Sequence, residues 1–350
     1  MEKRNNFFQV ATTLIAVTIS LLLACIIILF VSAEPMNAIS TLLFGPIRSL
    51  RNFGNIIELM TTFMFTGLAI SIMFQAGQFN VSVEGAFFLG GLISGGLIST
   101  LTLPGPITFI VAVTGGVLAG AIVTSIPGVL KAKFGASELV SSLMMNYVAL
   151  YFGLFLLNNV FRDHSFGMLA THKIPKKYKL PVIVPGTRIH LGFILVVILI
   201  IVVTLFLFRT KTGYQIRSVG ENTTFSKYTG VKIGKTVFLA QLLGGIIAGL
   251  GGTSEILGMY SRFQWTSLPQ YGWDGVIVAL LAGEKPQNVP LAAFFLAYLR
   301  IGSDLMARAT DVPTELIIII QAVIILLVTA SALLSKFKQR STVKEVIGDA

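Results

Sequence analysis

The sequence predicts an all-α, polytopic membrane protein, and three observations predict it. Hydrophobic residues make up 54% of the chain and charged residues only 12%, against about a quarter charged in a soluble domain. Mean hydropathy is +0.84. Several apolar runs reach the roughly 20 residues that a helix needs to cross a bilayer core. Within them, as in Val10 to Val31 and Leu316 to Leu334, nothing alternates with the two-residue period of a membrane β-barrel strand.

The runs place ten spans in order at 9–32, 56–76, 84–102, 106–126, 139–159, 191–208, 236–256, 272–283, 289–306 and 314–334, in a single transmembrane domain covering residues 1–350. Lys3 and Arg4 precede an apolar stretch too long for a signal-peptide core, so this stretch is expected to stay as the first span. The single Cys25 lies inside it and excludes a disulfide framework. The net charge of +11 is carried in short loops, as membrane topology places it, and not in a nucleic-acid patch. Lys131 and Lys133 fall on the same side as both termini if the span count is even, which puts the termini in the cytoplasm. The loop at 160–190 then faces outward although it carries Arg162, Lys173, Lys176, Lys177, Lys179 and Arg188. The segment 209–235 is cytoplasmic and equally basic, so charge alone does not orient the helix between them.

Glycine is abundant, and Gly91-x-x-x-Gly95, Gly116-x-x-x-Gly120 and Gly245-x-x-x-Gly249 fall inside spans. Small residues at that spacing let helix backbones approach closely, within one bundle or across a subunit interface.

Two polar interruptions stand out in the apolar tracts. One is Gln75-Ala-Gly-Gln-Phe-Asn-Val-Ser-Val-Glu-Gly85; the other is Ser267-Leu-Pro-Gln-Tyr-Gly-Trp-Asp-Gly275. Broken helices at membrane depth need protein or a water-filled cavity to solvate the backbone, and a pair in two halves of a chain is the pattern of a transport pathway. If the halves are spans 2–5 and 7–10, five crossings separate equivalent helices, which makes the repeat inverted. Glu84 and Asp274 are then ionisable groups near the membrane interior. Each either lines the pathway or caps the helix that starts beside it. Phe79, Tyr271 and Trp273 offer faces for stacking a base, or belong to an interfacial aromatic belt. Gln78, Asn80 and Asp274 offer hydrogen bonds to a base edge or a ribose hydroxyl.

The stretch Gly230-Val-Lys-Ile-Gly-Lys-Thr236 falls short of a phosphate loop because Thr229 stands where glycine is required. His164, His172 and His190 lack the spacing of a zinc site, so no metal and no cofactor are expected. A non-catalytic protein follows, with energy supplied by a partner or an ion gradient. Residues 209–235 are long enough to hold a short amphipathic helix, with Asn222 or Thr223 as N-cap and Phe225 and Tyr228 on one face. That face suits a groove on a soluble partner, or the bilayer surface.

Five segments carry a resemblance. They are Phe79-Asn-Val-Ser-Val-Glu-Gly85, Gly135-Ala-Ser-Glu-Leu-Val-Ser-Ser-Leu-Met-Met-Asn-Tyr147, the loop from Thr212 to Asn222, Gly272-Trp-Asp-Gly-Val-Ile-Val-Ala-Leu-Leu-Ala-Gly283 and Pro313-Thr-Glu-Leu-Ile-Ile-Ile-Ile-Gln321. Together, and despite departures at Phe79 and Ser82, the chain resembles the permeases of ATP-binding-cassette (ABC) importers for simple sugars, branched-chain amino acids and, in one branch, nucleosides. The resemblance implies a bacterial inner-membrane permease for a nucleoside. It also implies two ATPase subunits, a second permease that is a paralogue, and an extracytoplasmic substrate-binding lipoprotein. Residues 219–231, with Gly220, Glu221, Asn222, Phe225, Tyr228 and Gly230, become the loop that couples to the ATPase. The rival readings are an ion-coupled secondary transporter, a simple-sugar ABC permease and a membrane-embedded assembly subunit.

Overall fold

Long apolar runs without helix-breaking signals fold as helices, because within lipid each backbone N–H and C=O must be satisfied inside its own segment. The computed structural model describes residues 34–311 without interruption, together with residues 22, 25, 26, 28–30, 32, 322 and 326. Its α-helices are α1 (Pro35–Phe44), α2 (Leu50–Gln75), α3 (Val83–Thr100), α4 (Gly105–Phe134), α5 (Glu138–Asn159), α6 (Gly192–Arg209), α7 (Lys211–Glu221), α8 (Thr223–Tyr228), α9 (Ile233–Met259), α10 (Tyr271–Leu281) and α11 (Val289–Ala309). The described residues contain no named β-strand, only the bridge pairs Arg162 with Thr171 and Val182 with His190.

Seven described helices are long and apolar enough to cross a membrane, and α10 is a shorter apolar helix. They correspond to the eight spans expected between residues 56 and 306. The chain is thus a multi-pass membrane protein. The spans expected at 9–32 and 314–334 lie outside the described residues except at the few positions given above, so the count of ten and the full repeat of spans 2–5 and 7–10 rest on the sequence. The order of elements does recur: α2, a break at 76–82 and α3, then α9, a break at 260–270 and α10. The short helix α1 was not expected.

Local signals explain the helix ends. The C-terminus of α4 carries Lys131 and Lys133 in its last turn and stops at Gly135, whose φ of 65° turns the chain so that the Ala136 N–H reaches back to the Leu130 carbonyl. Ser137 then N-caps α5, Thr210 caps α7 and Asn222 caps α8, each accepting a backbone N–H three residues on.

The described residues divide into two units, 57–293 and those of the terminal segments on either side of it. In the terminal unit, the Tyr298 hydroxyl donates to the Leu43 carbonyl, and Ser32 donates to Asp311 at 2.6 Å. In the larger unit, α3, α4 and α9 form the tight centre through their glycines. A methyl group on Gly90 would lie 2.6 Å from the Gly249 Cα, and one on Gly120 would also meet that Cα at 2.6 Å. All six glycines of the expected motifs pack against this same chain, on neighbours such as Gly252, Gly249 and Ala121. They therefore build the bundle itself.

The exposed faces of α5 and α6 carry large apolar side chains such as Tyr151, Phe155, Ile201 and Leu205, as lipid contact requires. Beyond α5, residues 160–190 are laced onto the segment that follows α9. Arg262 donates to the Asp163 carboxylate at 2.5 Å, the Thr171 N–H donates to the Phe263 carbonyl, and the Ile174 N–H donates to the Ser261 carbonyl.

Candidate functional site

A helix interrupted at depth leaves backbone groups that something must satisfy. The first interruption lies well inside the bundle. Asn80 donates to the Gln241 side chain at 2.6 Å, and Gln241 is eight residues beyond the start of α9, about 12 Å along its axis.

Helix α5 satisfies this break from one face. Glu138, Ser142 and Asn146 are spaced four apart, so they line one side of the helix. The Phe79 N–H donates to Glu138 at 2.7 Å and the Val81 N–H to Ser142 at 3.1 Å. Asn146 accepts from the Gly85 N–H at 2.9 Å and donates to the Val81 carbonyl at 3.1 Å. The Asn80 side chain folds back to accept from the Ser82 N–H and hydroxyl. The second segment of the family resemblance therefore has a physical task, which is to replace the hydrogen bonds that the broken helix gives up.

Glu84 sits in the first turn of α3 and is 1% exposed. Its carboxylate does not serve its own helix. It accepts from the Gln270 N–H at 2.6 Å and from the Gly272 N–H, both at the start of α10. The two interrupted helices therefore meet start to start. Gly272 permits the approach, since a methyl group there would stand 2.6 Å from the Glu84 Cα. Asp274, one turn into α10, interacts electrostatically with Glu84.

The other expected residues are placed as follows. Gln78 is buried and donates to the Ala76 carbonyl. Phe79 is half-exposed and stacks on Phe74 with ring centroids 5.3 Å apart. Tyr271 meets Phe63 and Phe87 edge-on, while Trp273 points outward and is exposed. The structure brings Glu84, Asp274 and the start of α10 together, with the Trp273 backbone N–H also turned to the Glu84 carboxylate while its side chain stays exposed, and it groups Gln78, Phe79 and Asn80 in the break.

Two carboxylates escaped the sequence reading. Glu58 of α2 and Glu255 of α9 are both buried, and their carboxyl groups face one another across the two helices. Thr62 donates to Glu255 at 2.6 Å. Beside them, the Tyr260 hydroxyl is hydrogen-bonded with Trp265 and Tyr271, and Trp265 stacks on Phe87 with centroids 6.0 Å apart. Buried acids in membrane spans mark functional sites by default. Each stands alone within a long apolar run, which hid the pair.

In the 209–235 segment, Asn222 caps α8 by accepting from the Phe225 N–H at 2.9 Å. Phe225 and Tyr228 are 54% and 87% exposed. Gly220 lies at the end of α7, Glu221 and Asn222 follow, and Gly230 closes the turn after α8 with a φ of 82°.

The family described as "Branched-chain amino acid transport system / permease component" matches residues 52–329. The chain belongs to this permease family. The guanosine ABC transporter permease protein NupP of Bacillus subtilis is 31% identical over 91% of this permease and 92% of its own length. The nucleoside ABC transporter permease protein NupB of Lactococcus lactis is 26% identical over 92% and 91%. The glucose ABC transporter permease protein TsgB13 of Haloferax volcanii is 26% identical over 93% and 89%. These relatives are transporter permease subunits. No solved structure matches this permease significantly.

Proposed function

We propose that the chain is the translocation subunit of a bacterial inner-membrane ABC importer whose cargo is a nucleoside. It works with ATPase subunits, a second permease and an extracytoplasmic binding lipoprotein. Both termini and residues 209–235 lie on the cytoplasmic side, and residues 160–190 face outward. ATP hydrolysis belongs to the partner subunits. The observation that carries the transport reading is the meeting of two interrupted helices, start to start, at Glu84. Such junctions supply a polar point around which two halves can rock without exposing backbone to lipid. The cargo rests on the nucleoside relatives, and the glucose relative favours a simple sugar as the second reading.

In this reading the exposed Phe225 and Tyr228 of α8 dock on the ATPase, as an apolar pair on a capped helix fits a groove. The route runs past Gln78, Phe79, Asn80, Glu84, Tyr271, Trp273 and Asp274. The Glu58 and Glu255 pair accepts ribose hydroxyls while Tyr260, Trp265 and Tyr271 present ring faces to the base.

Proteoliposomes carrying the assembled transporter test the reading. Uptake of labelled guanosine is expected to require internal ATP, to stop with vanadate and to persist with proton and sodium ionophores. Abolition by ionophore alone sinks the ABC reading. Guanosine-insensitive uptake of labelled glucose overturns the cargo.

A further inference from the structure

Gly220, in the last turn of α7, packs against the first break. A methyl group on it would collide with the Gln75 carbonyl and stand 2.8 Å from the Gly77 nitrogen, and Gly77 holds a φ of 69° while its own added carbon would meet the Gly220 Cα at 3.1 Å. Only two facing glycines permit this backbone-to-backbone contact. Behind it α7 is braced on α8 and on α6. The Ser218 and Ser226 hydroxyls hydrogen-bond at 2.7 Å, and Arg217 donates to the Leu207 carbonyl at 3.0 Å. A push on α8 therefore reaches residues 75–77 through a braced corner.

The same end of α2 holds the far end of α10. Ser71 and Gln75 both donate to the Glu284 carbonyl, at 2.8 and 2.9 Å, just past the last turn of α10. Glu284 is pinned there in a left-handed conformation, φ 63°, with its N–H on the Ala279 carbonyl. Helix α10 then runs eleven residues, about 17 Å, to its start on the Glu84 carboxylate. Along the way it lies flat on α2, where a methyl group on Gly275 would be 2.7 Å from the Thr66 Cβ.

We propose that α10 is a strut that carries displacement of the 209–235 loop to the Glu84 junction, and that Gly220, Gln75 and Ser71 are the positioning residues at its driven end. This rests on the ABC reading above and adds the physical route within it. A short helix clamped by hydrogen bonds at both ends moves as a rigid body, so shifting the Glu284 carbonyl shifts the Gly272 N–H that Glu84 holds. Loss of the clamp leaves the ATPase docked and turning over while the junction no longer follows.

The test compares the whole reconstituted transporter with the permease as wild type, Gln75→Leu with Ser71→Ala, Gly220→Ala, Ser71→Ala alone and Ser71→Thr. Three readouts are taken on each: ATPase association, ATP hydrolysis and guanosine uptake. The expected result for the double variant is uptake reduced about tenfold or more at a hydrolysis rate within about twofold of wild type, and for Gly220→Ala a loss of uptake at least as large. Ser71→Ala alone lowers uptake per ATP hydrolysed in the same direction, and Ser71→Thr, which keeps the hydroxyl, restores it. Should Gly220→Ala fail to assemble, the double variant decides, because it removes hydrogen bonds without adding bulk at the loop. The strut is overturned by wild-type uptake in the double variant, or by association, hydrolysis and uptake falling together. Failure of the underlying reading looks different: wild-type uptake that ignores vanadate removes the ABC cycle itself.

Discussion

Glu84 accepts the Gln270 and Gly272 N–H groups, with the Trp273 N–H beside them, from a helix almost two hundred positions away in sequence, and it does so in a buried position. Removing the carboxylate leaves both donors of α10 unpaired, at about 1–3 kcal/mol for each buried group left without a partner. Glu84→Ala is therefore expected to lower the thermal midpoint of the purified protein and to abolish uptake, whereas Glu84→Gln, which keeps one acceptor oxygen, loses less of both. An unchanged melting midpoint in Glu84→Ala would mean the junction bears no weight. His190 gives a second prediction at this scale. Its ring is packed against Gly258 and Gly192 just before α6, and burial pushes it down to about 4 from 6.5. A folded-state value below the unfolded one means that the unfolded chain takes up the proton first. Its contribution to stability is complete above pH 6.5 and is lost as the pH falls from there towards 4. The stability of His190→Asn, followed by thermal melts across that window, should lose this part of the pH dependence. Asp163 is held below the usual carboxylate range by Ser165 and then Arg262, so its own loss of stability comes only at more acidic pH. Residue chemistry was partly legible in the sequence. Glu84 stood out because it follows a polar break, and Asn222 because it precedes a helical face. Glu58 and Glu255 did not, because a lone acid in an apolar run gives no sign of a partner 197 positions on.

At the scale of elements, the face of α5 formed by Glu138, Ser142 and Asn146 shows what a sequence segment can conceal. Its residues were visible as a motif, but their spacing of four acquires meaning only beside residues 79–85, to which they donate and from which they accept. Helix positions and types were legible because lipid forces each apolar run to be a helix. The short helix α1 was not, since ten residues with Pro35 at the start read as a connector. The capping role of Glu84 was half legible: a carboxylate at a helix start was expected to serve that helix, and tertiary packing gave it to the other. The α5 face yields a prediction distinct from the junction. Asn146→Leu keeps the volume roughly constant while leaving the Gly85 N–H unsatisfied and the Val81 carbonyl with only its bond from the Glu84 N–H, so a loss of about 1–3 kcal/mol is expected. Hydrogen exchange should rise at residues 79–86 and stay unchanged in α4. Exchange spread evenly over the bundle would show that Asn146 supports general packing and not the break.

For the whole molecule, orientation is the property that charge leaves open, because residues 160–190 and 209–235 are equally basic. They attach to opposite ends of α9. The first loop is hydrogen-bonded to the chain around Met259, through the Leu180 N–H on the Leu257 carbonyl and the Ile174 N–H on the Ser261 carbonyl. The second runs directly into Ile233 at the other end of α9. The 27 residues of α9 rise about 40 Å, more than the roughly 30 Å of the hydrocarbon core, so the proposed topology, with the two loops on opposite sides of the membrane, fits the length of the helix between them. The chain holds one cysteine, Cys25, which makes the test direct. With Cys25→Ser as background, Lys177→Cys is expected to react with a membrane-impermeant maleimide in intact cells. Tyr228→Cys should react only after the membrane is opened, and should be protected when the ATPase is co-expressed. Labelling of both positions from outside would break the two-sided arrangement, and labelling reversed between them would place the exposed α8 face where no cytoplasmic ATPase can reach it.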